Sequence, residues 1–234
     1  MTCGKAVEIR GLSVGYDKRP IFHAADLSMG CGEFVGLVGP NGVGKTTLFK
    51  VILGLLRPWA GSVEVLGVPM KTPRQINQAR RQIGYLPQQN QAGKLPITVY
   101  DSVLIGRWGS SFSAFRRPSA ADKAAVNDVL QRFGLSPYRH YDWRALSGGL
   151  QQRVALARAI VRQPRLILMD EPTTYLDRET QKEIYPIASE LNRSSGITFV
   201  IISHDQGTLE RYASRMMMVT GSKIEEISCR SSPC

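Results

Sequence analysis

The residues best placed to do chemistry are Gly39-Pro40-Asn41-Gly42-Val43-Gly44-Lys45-Thr46, followed by Thr47. Glycines here let the backbone curl until several N–H groups point at one anion. A helix starting after Gly44 adds its positive N-terminal end. Lys45 then reaches the β and γ phosphates of a bound nucleotide, and the Thr46 hydroxyl is placed to ligate Mg2+. The order Gly-x-x-x-x-Gly-Lys-Thr is the P-loop pattern, and it predicts an ATP site. Two carboxylates extend that chemistry. Leu166-Ile167-Leu168-Met169 is an apolar run ending in Asp170 and Glu171. Asp170 would hold the Mg2+ shell. Glu171 would lie near the γ-phosphate and orient or deprotonate the attacking water. His204 follows a third apolar run and could hydrogen-bond both the γ-phosphate and that water.

A second glycine turn, Leu146-Ser147-Gly148-Gly149-Leu150-Gln151-Gln152-Arg153, precedes the helical run Val154 to Val161. Ser147 and the glycine N–H groups at a helix start form another anion site. One chain with two such sites raises the question of what the second one binds.

The elements that must position these groups are legible in outline. Glu33 to Val38, Leu166 to Met169 and Thr198 to Ile202 are short apolar runs, expected as buried strands of a parallel sheet covered on both faces. Between the first run and the next element, Leu48, Val51, Ile52 and Leu55 fall at i, i+3, i+4 and i+7, predicting one apolar helix face through Leu55. Val7 to Val14 and Ser62 to Leu66 read as strands of a small antiparallel sheet. From about Gln91 to Gln163 no buried strand is evident. Ser119 with Asp122 marks a helix start, and Val126, Val129, Leu130 and Phe133 form a helical stripe. The expected fold is therefore α/β: a P-loop NTPase core, an antiparallel β subdomain, and a helical subdomain inserted at about 91–163. A single domain over 1–234 is expected, with a loose tail from about 222.

Composition sets limits. The 234 residues include 43% hydrophobic and 21% charged residues, ordinary for a globular chain. No apolar run approaches the roughly 18 residues that span a bilayer, and the first five residues lack the apolar stretch of a signal peptide. A cytoplasmic protein, reaching the membrane through a partner, is expected. The four cysteines, Cys3, Cys31, Cys229 and Cys234, suit neither a disulfide framework nor a four-ligand zinc site. A loose tail with reduced thiols is the plain expectation, with soft-metal binding by Cys229 and Cys234 the alternative. The formal charge is +11, and 11 basic against 3 acidic residues lie between Ile105 and Arg165. Such an excess suits phosphates, anionic headgroups or nucleic acid, or only solubility.

Taken together, these motifs strongly resemble the nucleotide-binding subunit of an ATP-binding cassette (ABC) transporter. The resemblance runs from about Val7 to Val219. Gly39 to Thr46 is similar to the Walker A motif, Leu166 to Asp170 to Walker B, and Leu146 to Arg153 to the family signature. Glu171 matches the catalytic glutamate and His204 the switch histidine. By position, Tyr16 resembles the aromatic residue that stacks on adenine. Gln88 resembles the glutamine that senses Mg2+ and faces the membrane subunit, with Gln89 the alternative. Asp177, in Thr174-Tyr175-Leu176-Asp177, resembles the acidic member of the loop that crosses the dimer interface. Leu150 departs from the usual glutamine of the signature, which bears on dimer affinity and hydrolysis rate.

The resemblance implies ATP and Mg2+ as ligands and a head-to-tail dimer with a second copy. In it, Ser147, Gly148 and Gly149 close on the partner's ATP, which answers the question of the second glycine turn. It also implies an integral membrane permease, an extracytoplasmic substrate-binding protein, no nucleic acid, and a place at the cytoplasmic face of the membrane. Pro96 to Arg107 resembles importers of zinc, manganese or iron, with siderophore importers sharing part of the pattern. An exporter, or a soluble ABC ATPase acting on ribosomes or DNA, are the alternatives. Trp108, Phe112 and Phe115 would pack under a short helix of the permease, or be buried within the helical subdomain.

Overall fold

Three runs of five residues, Phe34–Val38, Leu166–Asp170 and Thr198–Ile202, are buried along their whole length. A strand covered on both faces has no place for polar side chains, so it reads as a continuous apolar run. In the computed structural model these runs lie side by side at the heart of the chain. The structure describes residues 4–88, 96–108, 117–174 and 178–227, and all their side chains except those of 178–182. In chain order the strands and α-helices are β1 (Lys5–Tyr16), β2 (Arg19–Gly30), β3 (Phe34–Val38), α1 (Lys45–Ile52), β4 (Ala60–Val65), β5 (Val68–Pro69), α2 (Pro73–Arg80), β6 (Ile83–Leu86), α3 (Val99–Ile105), α4 (Ala120–Arg132), α5 (Gly148–Ile160), β7 (Leu166–Asp170), α6 (Arg178–Ser195), β8 (Thr198–Ile202), α7 (Gln206–Leu209), β9 (Arg215–Thr220) and β10 (Lys223–Ile227).

Two sheets result. The larger runs β10-β9-β3-β8-β7-β6, with β9, β3, β8, β7 and β6 parallel and β10 antiparallel at one edge. The smaller is antiparallel, in the order β2-β1-β4-β5. With α-helices beside these sheets, the fold is the α/β P-loop NTPase arrangement expected from sequence. One hydrophobic cluster joins the larger sheet to α3, α4, α5 and α6 through residues such as Val103, Val126, Val154 and Tyr185. A second joins it to α1 and the smaller sheet through Leu48, Ile52, Val14 and Val65.

The described part of 96–163 holds α3, α4 and α5. The helix start at Ser119 has the expected form. Ser119 Oγ accepts from the Asp122 N–H at 3.2 Å, and Asp122 Oδ2 accepts from the Ser119 N–H at 2.8 Å. Val126, Leu130 and Phe133 are buried, with Val129 packed beside them. Asp122 also takes a 2.6 Å bond from Arg107 Nε, while Arg107 Nη1 donates to the Val161 carbonyl at 2.8 Å. One guanidinium thus ties the end of α3 to both α4 and α5.

Three expectations need correction. The apolar face of α1 ends at Ile52, and Leu55 is 61% exposed. Gly54 takes a left-handed φ of 64°, the Leu55 N–H reaches the Lys50 carbonyl at 2.8 Å, and the Gly54 N–H reaches Val51 at 2.9 Å. This is a Schellman cap, and it turns the chain away before a third turn can form. The tail expected to be loose from 222 instead contains β10. The two-residue turn at Gly221 and Ser222 pairs Thr220 with Lys223, which lets the segment add to the sheet edge. Finally, Cys31 is disulfide-bonded, where the cysteine spacing suited no disulfide framework. Cysteine spacing in sequence carries no information on which sulfurs the fold brings near one another. Cys3, Cys229 and Cys234 lie outside the described residues, as do Phe112, Phe115, Gln89 and Asp177.

Candidate active site

The P-loop, Gln88, Glu171 and His204 each follow the C-terminal end of a parallel strand. The P-loop follows β3, His204 follows β8, Glu171 follows β7 and Gln88 follows β6. Since β3, β8, β7 and β6 are consecutive in the sheet, these groups share one edge, at neighbouring strands about 4.8 Å apart. The sheet order, which sequence alone does not reveal, is what assembles them.

At the P-loop, Gly39, Gly42 and Gly44 all have positive φ. Gly44 caps the start of α1 at φ 112°, and a Cβ there would stand 2.4 Å from the Ile21 side chain. No other residue fits that position without moving the smaller sheet. Lys45 is buried and folds back over its own loop, donating to the carbonyls of Gly39 at 2.7 Å and Pro40 at 2.9 Å. Burial pushes its ammonium below the ordinary lysine range, opposed by the nearby charges of Glu171 and Asp170. The cation is thus held at the loop before any phosphate arrives.

Asp170 is 2% exposed, and its carboxylate takes a hydrogen bond from Thr46. Its Oδ1 is buried and has no hydrogen-bond partner. Burial pushes this carboxyl up, and the Thr46 bond only partly offsets that. An orphaned carboxylate oxygen beside a threonine hydroxyl fits a hard dication that takes oxygen ligands. Among the described residues no cluster of three or more His, Cys, Asp or Glu could hold a metal by itself. A metal here would therefore be shared with a phosphate ligand, as Mg2+ is.

Glu171 is the best-held side chain at this edge. Its backbone is left-handed, at φ 49°, and its N–H bonds the Ile202 carbonyl of β8 at 3.0 Å. That turn aims the carboxylate at the P-loop side. Oε2 accepts from Gln88 Nε2 at 2.7 Å and Thr174 Oγ1 at 2.9 Å, while Oε1 meets His204 Nε2 at 2.5 Å. An open cavity of about 450 Å3 is lined by Lys45, Thr46, Thr47, Gln88, Glu171 and His204, together with Asn41, Gly42, Gly44 and Thr174. Thr174 received no role at the glutamate from sequence. Its signal was its position three residues after Glu171, one turn on.

Tyr16 stands at the end of β1, 41% exposed, outside that cavity. Lys50 of α1 lies 5.5 Å from its ring centre and donates to its hydroxyl at 3.3 Å. Ser147 N-caps α5 by accepting from the Leu150 N–H at 3.4 Å, and Ser147 and Gly148 are exposed while Gly149 is buried. None of the three lines the P-loop cavity. Leu150 packs on the hydrophobic core, and Gln151 turns back to the Leu146 carbonyl at 2.9 Å.

The family model for ABC transporters matches residues 22–174. The chain belongs to the ABC transporter family. It is an ATPase of that family. The high-affinity zinc uptake system ATP-binding protein ZnuC of Bacillus subtilis is 32% identical over 213 residues, covering 90% of this chain and 89% of that protein. The manganese transport system ATP-binding protein MntB of Halalkalibacterium halodurans is 35% identical over 214 residues, covering 91% and 82%. Among solved structures, a dimeric ATP-binding cassette in a post-hydrolysis state with ADP and Pi superimposes with a TM-score of 0.79. It is 27% identical, with 97% of this chain and all of that one covered. No helix among the described residues is long and apolar enough to cross a membrane.

Proposed function

We propose that this ABC ATPase powers the import of a transition-metal ion, zinc or manganese, through a separate membrane permease. The observation that carries the ATPase mechanism is the gathering of Glu171, Gln88, Thr174 and His204 at one edge of the P-loop cavity. The metal cargo is supported by the zinc and manganese systems to which the relatives belong. In this reading the P-loop residues Gly39 to Thr47 wrap the phosphates of ATP, Lys45 exchanges its loop carbonyls for phosphate oxygens, and Tyr16 stacks on the adenine. Thr46, Asp170 and Gln88 would hold Mg2+, which when bound would supply positive charge to the phosphates. Glu171 orients the attacking water and accepts its proton. His204 fixes the glutamate and the γ-phosphate together.

Two copies assemble head to tail. Ser147, Gly148 and Gly149 of one close on the ATP held by the other, and Asp177 belongs to the loop at that interface. Closure with ATP and opening after hydrolysis would drive the permease. An extracytoplasmic binding protein would deliver the metal, and the chain would work at the cytoplasmic face of the membrane. The decisive experiment replaces Glu171 with Gln. Turnover should fall at least about 100-fold while ATP stays bound, and wild-type turnover would sink the mechanism. For the cargo, cells lacking the chain should lose uptake of radioactive zinc or manganese and regain it with the gene restored. Unchanged uptake of both would remove the metal assignment.

A further inference from the structure

Tyr185 lies about two turns into α6 and is buried, ring and hydroxyl alike. A phenol taken out of water must find hydrogen-bond partners, and backbone carbonyls or other side chains serve equally well. Here both partners are side chains on the two segments that carry the catalytic groups. The Tyr185 O–H donates to Ser203 Oγ at 3.0 Å, and the Thr173 hydroxyl bonds the same phenol. Ser203 directly precedes His204. Thr173 lies two residues after Glu171 and directly before Thr174, whose hydroxyl holds the Glu171 carboxylate. Thr173 and Ser203 are themselves buried. Burial pushes the Tyr185 phenol above its ordinary range, with the bonds to Ser203 and Thr173 acting against that. The proton therefore stays on the oxygen that donates it. The ring is fixed as well as the hydroxyl. It stacks on Tyr212, with ring centres 5.8 Å apart and planes 15° apart. Tyr212 follows α7, which starts two residues after His204. α6 is also tied to α5, the helix of the signature turn: Glu183, two residues before Tyr185, pairs with Arg153.

Two segments meet at Glu171 and His204: residues 171–174 after β7, and residues 203–205 after β8. One tie between them is made by the backbone, where the Glu171 N–H bonds the Ile202 carbonyl at 3.0 Å. That bond fixes where the segments leave the sheet but not their onward course. The second tie is the Tyr185 hydroxyl. It acts just past the glutamate on one segment and just before the histidine on the other. Ser203 Oγ also accepts from the Asp205 N–H at 3.1 Å, so the backbone on both sides of His204 is held to the same oxygen. We infer that Tyr185 is a positioning residue for ATP hydrolysis: through Thr173 and Ser203, its hydroxyl sets the separation of Glu171 and His204. This rests on the reading of Glu171 as the base and His204 as its partner, and adds what keeps the two together. Tyr185 does not line the P-loop cavity, so its effect falls on that pair and not on the grip of the loop on phosphate. Small displacements of a catalytic group cost rate far more than they cost binding.

The test is Tyr185→Phe in the full chain, which removes the hydroxyl and keeps the ring on Tyr212. The variant should lower kcat about tenfold and leave KM for ATP within about twofold. Val65→Ala, a buried position in the smaller sheet, is the control for a loosened core. It should lower Tm and leave kcat within about twofold. A second readout separates positioning from packing. In a His204→Ala background the pair no longer exists, so Tyr185→Phe should lower the residual turnover by less than about twofold. Release of labelled phosphate from ATP follows that residual rate. Ser203→Ala and Thr173→Val each remove one partner of the phenol and should each lower kcat at least about threefold, again with KM kept. These two carry the test if Tyr185→Phe does not fold. Wild-type kcat in Tyr185→Phe, or in both partner variants, overturns the inference. So does a tenfold loss that persists undiminished in the His204→Ala background, and so does an equal loss of kcat in Val65→Ala. Glu171→Gln tells the two kinds of failure apart. If it turns over like the wild type, the catalytic reading itself falls. If it is inactive while Tyr185→Phe is fully active, only the role of Tyr185 falls.

Discussion

Gln88, Thr174 and His204 converge on one carboxylate, and they do not contribute equally. Thr174 supplies a single hydroxyl bond at 2.9 Å, on the oxygen that Gln88 also holds. Thr174→Ala should therefore cost one hydrogen bond, about 1 kcal/mol, and lower kcat by roughly fivefold with KM for ATP unchanged. Steady-state phosphate release measures both. Asp170 has a different cost. Its carboxylate is buried with one oxygen unpartnered, and burial raises it above the usual range. A carboxyl raised on folding stabilises the chain fully only when protonated, so stability falls as pH climbs through its raised value. At neutral pH, without nucleotide or metal, Asp170→Asn should raise Tm by at least about 2 °C while abolishing turnover. Scanning calorimetry in EDTA checks the first half. The residue types at this scale were legible because each is dictated by what it would touch: glycine where backbone would face phosphate, threonine and aspartate where a hard cation would sit. Thr174 was not, since a hydroxyl one turn past a glutamate has many other uses.

Elements were legible where one face or both faces are apolar without interruption. β3, β7 and β8 are such runs. β2 was missed because its pairing with β1 is broken by several register shifts and by Ala24 at φ 50°, which scrambles the period of two. β6 was missed because it has four residues, one of them glycine. Its Tyr85 makes the strand testable. Burial pushes the Tyr85 hydroxyl up to about 12, with Asp170 adding to it. Folding thus holds a proton that the unfolded chain releases near 10, so stability drops as pH rises from about 10 through 12. Tyr85→Phe should remove about 1–2 kcal/mol of that alkaline loss, allowing for the partly exposed ring. Denaturant midpoints at pH 9 and pH 11.5 would show it. The tie between α3, α4 and α5 rests on Asp122, which is 1% exposed. Asp122→Ala leaves Arg107 short of its carboxylate and should cost about 3–5 kcal/mol.

For the whole molecule, the P-loop cavity and the signature turn are both present in one chain and do not meet. Turnover per chain should therefore rise with protein concentration, and a dilute monomer should bind ATP yet hydrolyse it poorly. A stronger check mixes two inactive chains, Lys45→Ala and Ser147→Ala. A head-to-tail pair of one each has one intact P-loop facing one intact signature, so mixing should restore partial activity. No recovery would mean that each chain works alone. Here sequence showed two anion sites but not their separation, because distance between elements depends on the order of strands and not on their composition. One consequence reaches back to α1. Its first residue, Lys45, grips the P-loop carbonyls, and the carbonyls past its last turn are held by Arg80. Linkage is symmetric: whatever factor a partner bound against that end of α1 adds to ATP affinity, ATP must return to the partner. A helix gripped at both ends would thus let such a partner read the nucleotide state through binding strength, in addition to the closure of the pair.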